Sequence, residues 1–153
     1  MAILINKDSK VIVLGITGKS GALQTKAMLD AGTDIVAGVT PGKGGQEVYG
    51  VPVYNFVSEA AAEHEFDTAI CFVPPFAAKD SCYEAIDAGV GLVVLTTEEM
   101  ELNDSVEIIE YAHAHGATLV GPGCAGVLAP EECKVGAHPI RFFKKGHVGV
   151  VSK

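Results

Sequence analysis

The sequence predicts an α/β fold built as a doubly wound, mostly parallel sheet with helices on both faces. Short β-branched apolar runs alternate five times with stretches of helical composition. The runs hold few polar residues, as strands covered on both faces do. Glycine, at 18 of 153 residues, exceeds its usual share of about 7% and clusters between the runs as turns.

The first run, residues 10–15, reads as a strand, broken by a glycine-punctuated turn at 17–21. A helix follows from about Ala22 to Asp30, closed by Ala31 and Gly32. Residues 35–39 are the second strand, and 40–45 (Thr-Pro-Gly-Lys-Gly-Gly) read as a long flexible loop. Residues 51–54 read as a short edge strand, because Pro52 donates nothing to a ladder. A short helix is expected from Ser58 to His64, with Ser58 as its cap. Residues 67–73 are a third long strand, ended by Pro74 and Pro75, and a helix over 76–88 closes at Gly89. A strand at 92–96, a helix at 104–115 and a strand at 118–120 complete the alternation. Residues 121–145 are mostly loop or hairpin, and 146–151 is one more strand-like run.

Right-handed crossovers put helices on both faces of such a sheet. Ligands of these sheets bind beyond the carboxyl ends of the strands. The turns after Gly15, Val39, Val73, Leu95 and Val120 should therefore open on one edge, and every unusual motif of the chain sits in one of them.

Charge and composition exclude several functions. With 11 basic and 19 acidic residues the net charge is −8, which argues against nucleic acid as the partner. It leaves room for a small anionic ligand held by local amides and a few lysines. No apolar run approaches the roughly 18 residues of a membrane span, and the first residues lack the pattern of a signal peptide. The expectation is a soluble, cytoplasmic protein, or a mitochondrial-matrix one if the source is eukaryotic, with no membrane partner. Cys71, Cys82, Cys124 and Cys133 form no C-x-x-C pair and read as buried reduced thiols. The five histidines show no metal-ligand spacing, so no metal is expected.

The first turn, Gly15-Ile16-Thr17-Gly18-Lys19-Ser20-Gly21, is a G-x-x-G-x-x-G motif between strand and helix. Glycines let backbone approach a phosphate, and the helix N-terminus offers free N–H groups to it. Thr17 and Ser20 add hydroxyls and Lys19 adds charge. A dinucleotide site usually carries an acid at the end of the second strand. Here that strand ends Val39-Thr40-Pro41, and Lys43 follows, which favours a phosphorylated ribose over plain NAD. NADP and coenzyme A, with its 3′-phosphate, fit this pattern equally. Val73 and Pro74 end the third strand beside Phe76, which is either an apolar wall or a core residue. Thr96, Thr97 and Glu98 end the fourth, offering amides and hydroxyls to a ligand or a cap to the next helix. Gly121-Pro122-Gly123-Cys124 ends the fifth; no histidine stands beside Cys124 in sequence to make it a nucleophile.

Taken in order, these turns are more specific than any one of them. Together with Gly50-Val51-Pro52-Val53, Lys79-Asp80-Ser81, Glu84-Ala85-Ile86-Asp87-Ala88-Gly89 and Glu132-Cys133-Lys134-Val135-Gly136, they resemble the alpha subunit of the succinyl-CoA synthetase family. The malate and citrate CoA ligases are closely similar. The resemblance implies a Rossmann-like, coenzyme A-binding domain over residues 1–145. It implies CoA contacts at Thr17, Gly18, Lys19, Ser20, Lys43, Thr96, Thr97 and Glu98, and replaces NADP with coenzyme A as the expected cofactor. It also implies a separate, nucleotide-binding beta subunit as partner, and a phosphorylated histidine in a second domain that residues 146–153 would begin. None of the five histidines here matches that one, so the chain is expected to bind CoA and to catalyse nothing alone. Its alternatives are a standalone CoA- or nucleotide-sensing module and an NADP-binding oxidoreductase fragment. The sequence departs from the family at Gly123, where Asn is usual, and at Glu99-Met100-Glu101, where Gly-Ile-Pro is usual.

Overall fold

The computed structural model describes residues 3–152. Its strands and helices follow in the order β1 (Lys10–Leu14), α1 (Lys19–Asp30), β2 (Asp34–Val39), β3 (Glu47–Val48), β4 (Val51–Tyr54), α2 (Val57–Glu63), β5 (Thr68–Cys71), α3 (Pro75–Asp87), β6 (Leu92–Leu95), α4 (Leu102–Ala114), β7 (Thr118–Val120), β8 (Gly126–Ala129) and β9 (Cys133–Gly136). A 3₁₀ turn spans Ile140–Phe142.

The main sheet runs β3-β4-β2-β1-β5-β6-β7. All neighbours pair in parallel except β3, which returns antiparallel on β4. Counting only the parallel strands, the order is that of a Rossmann fold, with its switch point between β1 and β5. Right-handed crossovers explain the layering. The step from β1 to β2 moves one way and puts α1 on one face. Steps from β4 to β5, β6 and β7 move the other way and put α2, α3 and α4 on the opposite face.

Each strand divides its side chains between the faces. Ile12 and Leu14 of β1 join Ala78, Cys82 and Ala85 of α3 and Ile108 of α4. Val11 and Val13 join Met28 of α1. One helix cannot cover the second face, and the antiparallel hairpin β8–β9 fills the gap. Ala129, Cys133 and Val135 pack there beside Ile70, Leu92 and Val94. Each fully buried Val, Ile or Met side chain among them, such as Val13, Met28, Ile70 or Val135, is worth about 1.5–3 kcal/mol. On the helical face Lys79 of α3 lies 2.6 Å from Asp104 and 3.0 Å from Glu107 of α4. The hydrogen-bonded carboxylates, Asp104 first, hold its ammonium above the usual lysine range.

Four expectations need correction. Residues 51–54 are not the edge strand: β3 lies outside, and Pro52 sits opposite Glu47. Its missing N–H costs no pair with β2, because that ladder holds only Val53 and Tyr54. The short helix begins at Val57 rather than being capped by Ser58. Glu59 reaches back instead, its carboxylate accepting N–H bonds from Asn55 at 2.9 Å and Phe56 at 3.4 Å. Helix α1 starts three residues earlier than Ala22, so Lys19 and Ser20 belong to its first turn. Residues 146–152 form no strand; Val148, Val150 and Val151 are exposed, because β propensity becomes a strand only where a ladder partner is at hand.

Candidate functional site

The parallel register of β1, β2, β5, β6 and β7 brings the turns that follow them to one edge. Along it the order is Lys43, then Thr17 to Ser20, then Val73 and Pro74, then Thr96 to Glu98, then Gly121 to Cys124. All ten sequence-predicted site residues therefore lie on this edge, on four adjacent tips.

The tip of β1 is the tightest. Gly15 has φ +80°, and a Cβ there would lie 2.8 Å from the Phe72 carbonyl oxygen. Its N–H donates to the Val39 carbonyl at 2.7 Å, and its carbonyl accepts the Gly18 N–H at 3.1 Å. Gly21 packs onto that same peptide, where a Cβ would overlap the Gly15 oxygen and lie 2.9 Å from its carbonyl carbon. Gly18 is the extended N-cap residue of α1. The helix's own ladder opens at Ala22 N–H to the Gly18 carbonyl, 2.8 Å. Among the described residues, the N–H groups of Lys19, Ser20 and Gly21 meet no acceptor. No acid occupies the first turn of α1. Three free amides with the helix dipole behind them form an anion-accepting end.

The loop after β2, which glycine content alone marks as free, is internally hydrogen-bonded. Thr40 N–H donates to Tyr54 carbonyl (3.0 Å), Lys43 N–H to Thr40 carbonyl (3.0 Å), Gly45 N–H to Val53 carbonyl (2.9 Å) and Gln46 N–H to Lys43 carbonyl (3.2 Å). Gly42 and Gly44 N–H both donate to the Asn55 carboxamide oxygen. Every amide from Thr40 to Gln46 except that of Pro41, which has no N–H, is thus used internally. What the loop offers a ligand is the exposed Lys43 side chain. The loop is joined to the β1 tip, where Thr17 N–H donates to Thr40 Oγ1 at 3.4 Å.

The remaining tips are tied by side chains. Thr96 Oγ1 donates to the Cys71 carbonyl at 2.6 Å, and Thr97 Oγ1 to the Val73 carbonyl at 2.8 Å. Gly123 N–H donates to the Thr97 carbonyl at 2.9 Å. Both threonines therefore brace β6 against β5, and neither caps α4, which starts at Leu102. Pro74 is the N-cap residue of α3 and is exposed, with Val73 half-buried beside it. Phe76 is 86% exposed and belongs to no core cluster, so packing does not account for it. Glu98 and the left-handed Glu99 (φ +57°) add two exposed carboxylates to this end.

Cys124 is half-buried, and its Sγ lies 3.4 Å from the carbonyls of Leu95 and Val120. Burial pushes its thiol up, which leaves it protonated and poorly nucleophilic. Cys71, Cys82 and Cys133 are buried free thiols. Among the described residues, no cluster of His, Cys, Asp or Glu is placed to hold a metal ion. No helix there is long and apolar enough to cross a membrane. Sequence reasoning missed Asn55 and Thr40. A lone Asn after a strand looks like ordinary turn chemistry, and only the fold reveals what its oxygen accepts.

The CoA binding domain family matches residues 6–99. Over the whole chain, identity is 51% to the alpha subunit of the ADP-forming succinate–CoA ligase of Staphylococcus epidermidis. It is 50% to alpha subunit 1 from Archaeoglobus fulgidus and 51% to the Aquifex aeolicus subunit. The chain spans about half the length of these relatives, 51–53%. An ATP citrate lyase from Methanothrix soehngenii, solved with citrate and coenzyme A, superposes with a TM-score of 0.77 at 21% identity, covering 88% of this chain and 24% of that one. A dinucleotide-forming acetyl-coenzyme A synthetase 1 from Ca. Korarchaeum cryptofilum gives 0.73 at 21% identity, covering 87% and 30%. At such identity the solved structures speak to the Rossmann-like fold, while the family match speaks to the cofactor. The chain belongs to the CoA-binding domain family.

Proposed function

We propose that coenzyme A lies across the strand tips, with its phosphates at the start of α1 and its 3′-phosphate at Lys43. The observation that carries this reading is the pairing of two anion-accepting features on adjacent tips. The three free amides of Lys19, Ser20 and Gly21 stand beside a loop whose one offering is an ammonium group. A cofactor with a pyrophosphate and a separate phosphomonoester answers both. Thr17 and Gly18 line the approach, and Val73, Pro74, Thr96, Thr97 and Glu98 border the far side, where the pantetheine arm would run.

In this reading residues 1–145 are the binding domain of an acid–CoA ligase like the succinate–CoA ligase alpha subunits, and 146–153 lead into its ligase domain. The exposed valines at 148, 150 and 151 support that: they are an apolar run without a strand partner. The partner would be a beta subunit, and the four free thiols fit the reducing cytoplasm. The phosphorylated histidine would lie outside these residues, so this chain supplies cofactor binding and no turnover of its own.

Isothermal titration calorimetry with coenzyme A tests the assignment. Saturable one-to-one binding in the micromolar range is the expected result. No heat and no thermal shift at millimolar CoA, with the chain folded, would overturn it.

A further inference from the structure

Asn55 follows β4, and its carboxamide oxygen accepts two N–H bonds, from Gly42 at 2.9 Å and Gly44 at 3.0 Å. These are the residues on either side of Lys43. Asn55 is itself held, its N–H donating to a Glu59 carboxylate oxygen at 2.9 Å. We propose that Asn55 is a positioning residue for cofactor recognition: its oxygen fixes the β2–β3 loop so that the Lys43 ammonium is held where the 3′-phosphate of coenzyme A arrives. This rests on the reading that Lys43 meets that phosphate.

A loop with glycines at 42, 44 and 45 is among the least constrained a chain can have. Left free, it would have to be ordered at the moment of binding, and the ordering cost would subtract from affinity. The clamp removes that cost in advance. Gly44 is shaped to it: a Cβ there would overlap Asn55 Nδ2 and lie 2.9 Å from its Cγ. The Gly44 backbone has no left-handed φ, so alanine is sterically barred by the carboxamide alone and not by its own conformation.

The test is calorimetric titration of the full chain with coenzyme A and with dephospho-CoA, for wild type, Lys43→Ala, Asn55→Ala, Gly44→Ala and the Lys43→Ala/Asn55→Ala double variant. Asn55→Ala should weaken CoA by about threefold to tenfold, while dephospho-CoA changes by no more than about twofold. Gly44→Ala, which expels the carboxamide by an independent route, should do the same. Once Lys43 is alanine, removing Asn55 should cost nothing further. Amide hydrogen exchange should show protection lost at Gly42 and Gly44 and kept at Thr40, whose N–H is bonded to the Tyr54 carbonyl. If Lys43→Ala weakens both ligands equally, the phosphate assignment of Lys43 falls. If Lys43→Ala discriminates and Asn55→Ala does not, or if Asn55→Ala weakens both ligands alike, the positioning role is overturned while the Lys43 assignment stands.

Discussion

Replacing Gly21 by alanine adds one methyl group at the most crowded point of the cofactor edge. That methyl would overlap the Gly15 carbonyl oxygen and lie 2.9 Å from its carbon and 3.1 Å from Ile16 Cα. All three are backbone atoms, so no side chain can swing aside. The Gly15 peptide is also pinned, by its N–H to Val39 at 2.7 Å and by the Gly18 N–H at 3.1 Å. The start of α1 must therefore lift from the β1 tip. Overpacking of this kind costs about 1–3 kcal/mol, and in a chain of this length each kcal/mol lowers Tm by about 2–4 °C. Lifting the helix start also moves the three free amides. Losing one charge-assisted hydrogen bond of about 1.5–3 kcal/mol would weaken the cofactor by about tenfold to a hundredfold. Because the damage is at the pyrophosphate end, CoA and dephospho-CoA should weaken together. Thermal unfolding followed by circular dichroism and calorimetric titration of both ligands measure this. A Gly21→Ala chain with unchanged Tm and unchanged CoA affinity would refute the close-approach reasoning. Affinity lost for CoA alone would refute the placement of the pyrophosphate.

Thr97→Val removes the buried donor to the Val73 carbonyl while keeping the side-chain volume, at a residue only 8% exposed. It should cost about 1–3 kcal/mol, read as a lower Tm, whereas an unaltered Tm would mean that the β5–β6 brace is idle. Cys124 should react with iodoacetamide more slowly than glutathione at pH 8. Its rate should climb as pH rises, since burial raises its thiol above the ordinary range. Peptide mapping by mass spectrometry reads this directly, and a rate at or above that of glutathione would contradict the protonated, carbonyl-bonded thiol.

The alternation of apolar β-branched runs with helical stretches was enough to read the parallel strands and α1 to α4, because both patterns are local. The strand order is not local. It follows only from the handedness of the crossovers, and from Pro52 being tolerated inside the sheet where β2 makes no pair with it. β3 escaped notice because two residues, one of them Glu47, carry no period. The turn at 121–145 reads as loop or hairpin, and the structure contains the hairpin, β8–β9, required to cover the face that α1 leaves bare. The G-x-x-G-x-x-G spacing marked the β1 tip, yet the reasons for Gly15 and Gly21 differ. One needs positive φ beneath the Phe72 carbonyl, and the other lets the helix touch the first peptide. Glycine content made the 40–45 loop look mobile. Long-range bonds from Asn55, Val53 and Tyr54 order it, and a window of adjacent residues does not contain them.

Amide-resolved NMR during a coenzyme A titration tests the central claim most directly, because it reports where the cofactor sits and not merely that it binds. Shifts concentrated on Thr17 to Gly21, on Lys43, on Val73 and on Thr96 to Glu98, with the β8–β9 hairpin silent, are the predicted result. Saturable shifts confined to the hairpin, to the helical face of α2 to α4 or to the amino ends of the parallel strands would contradict it.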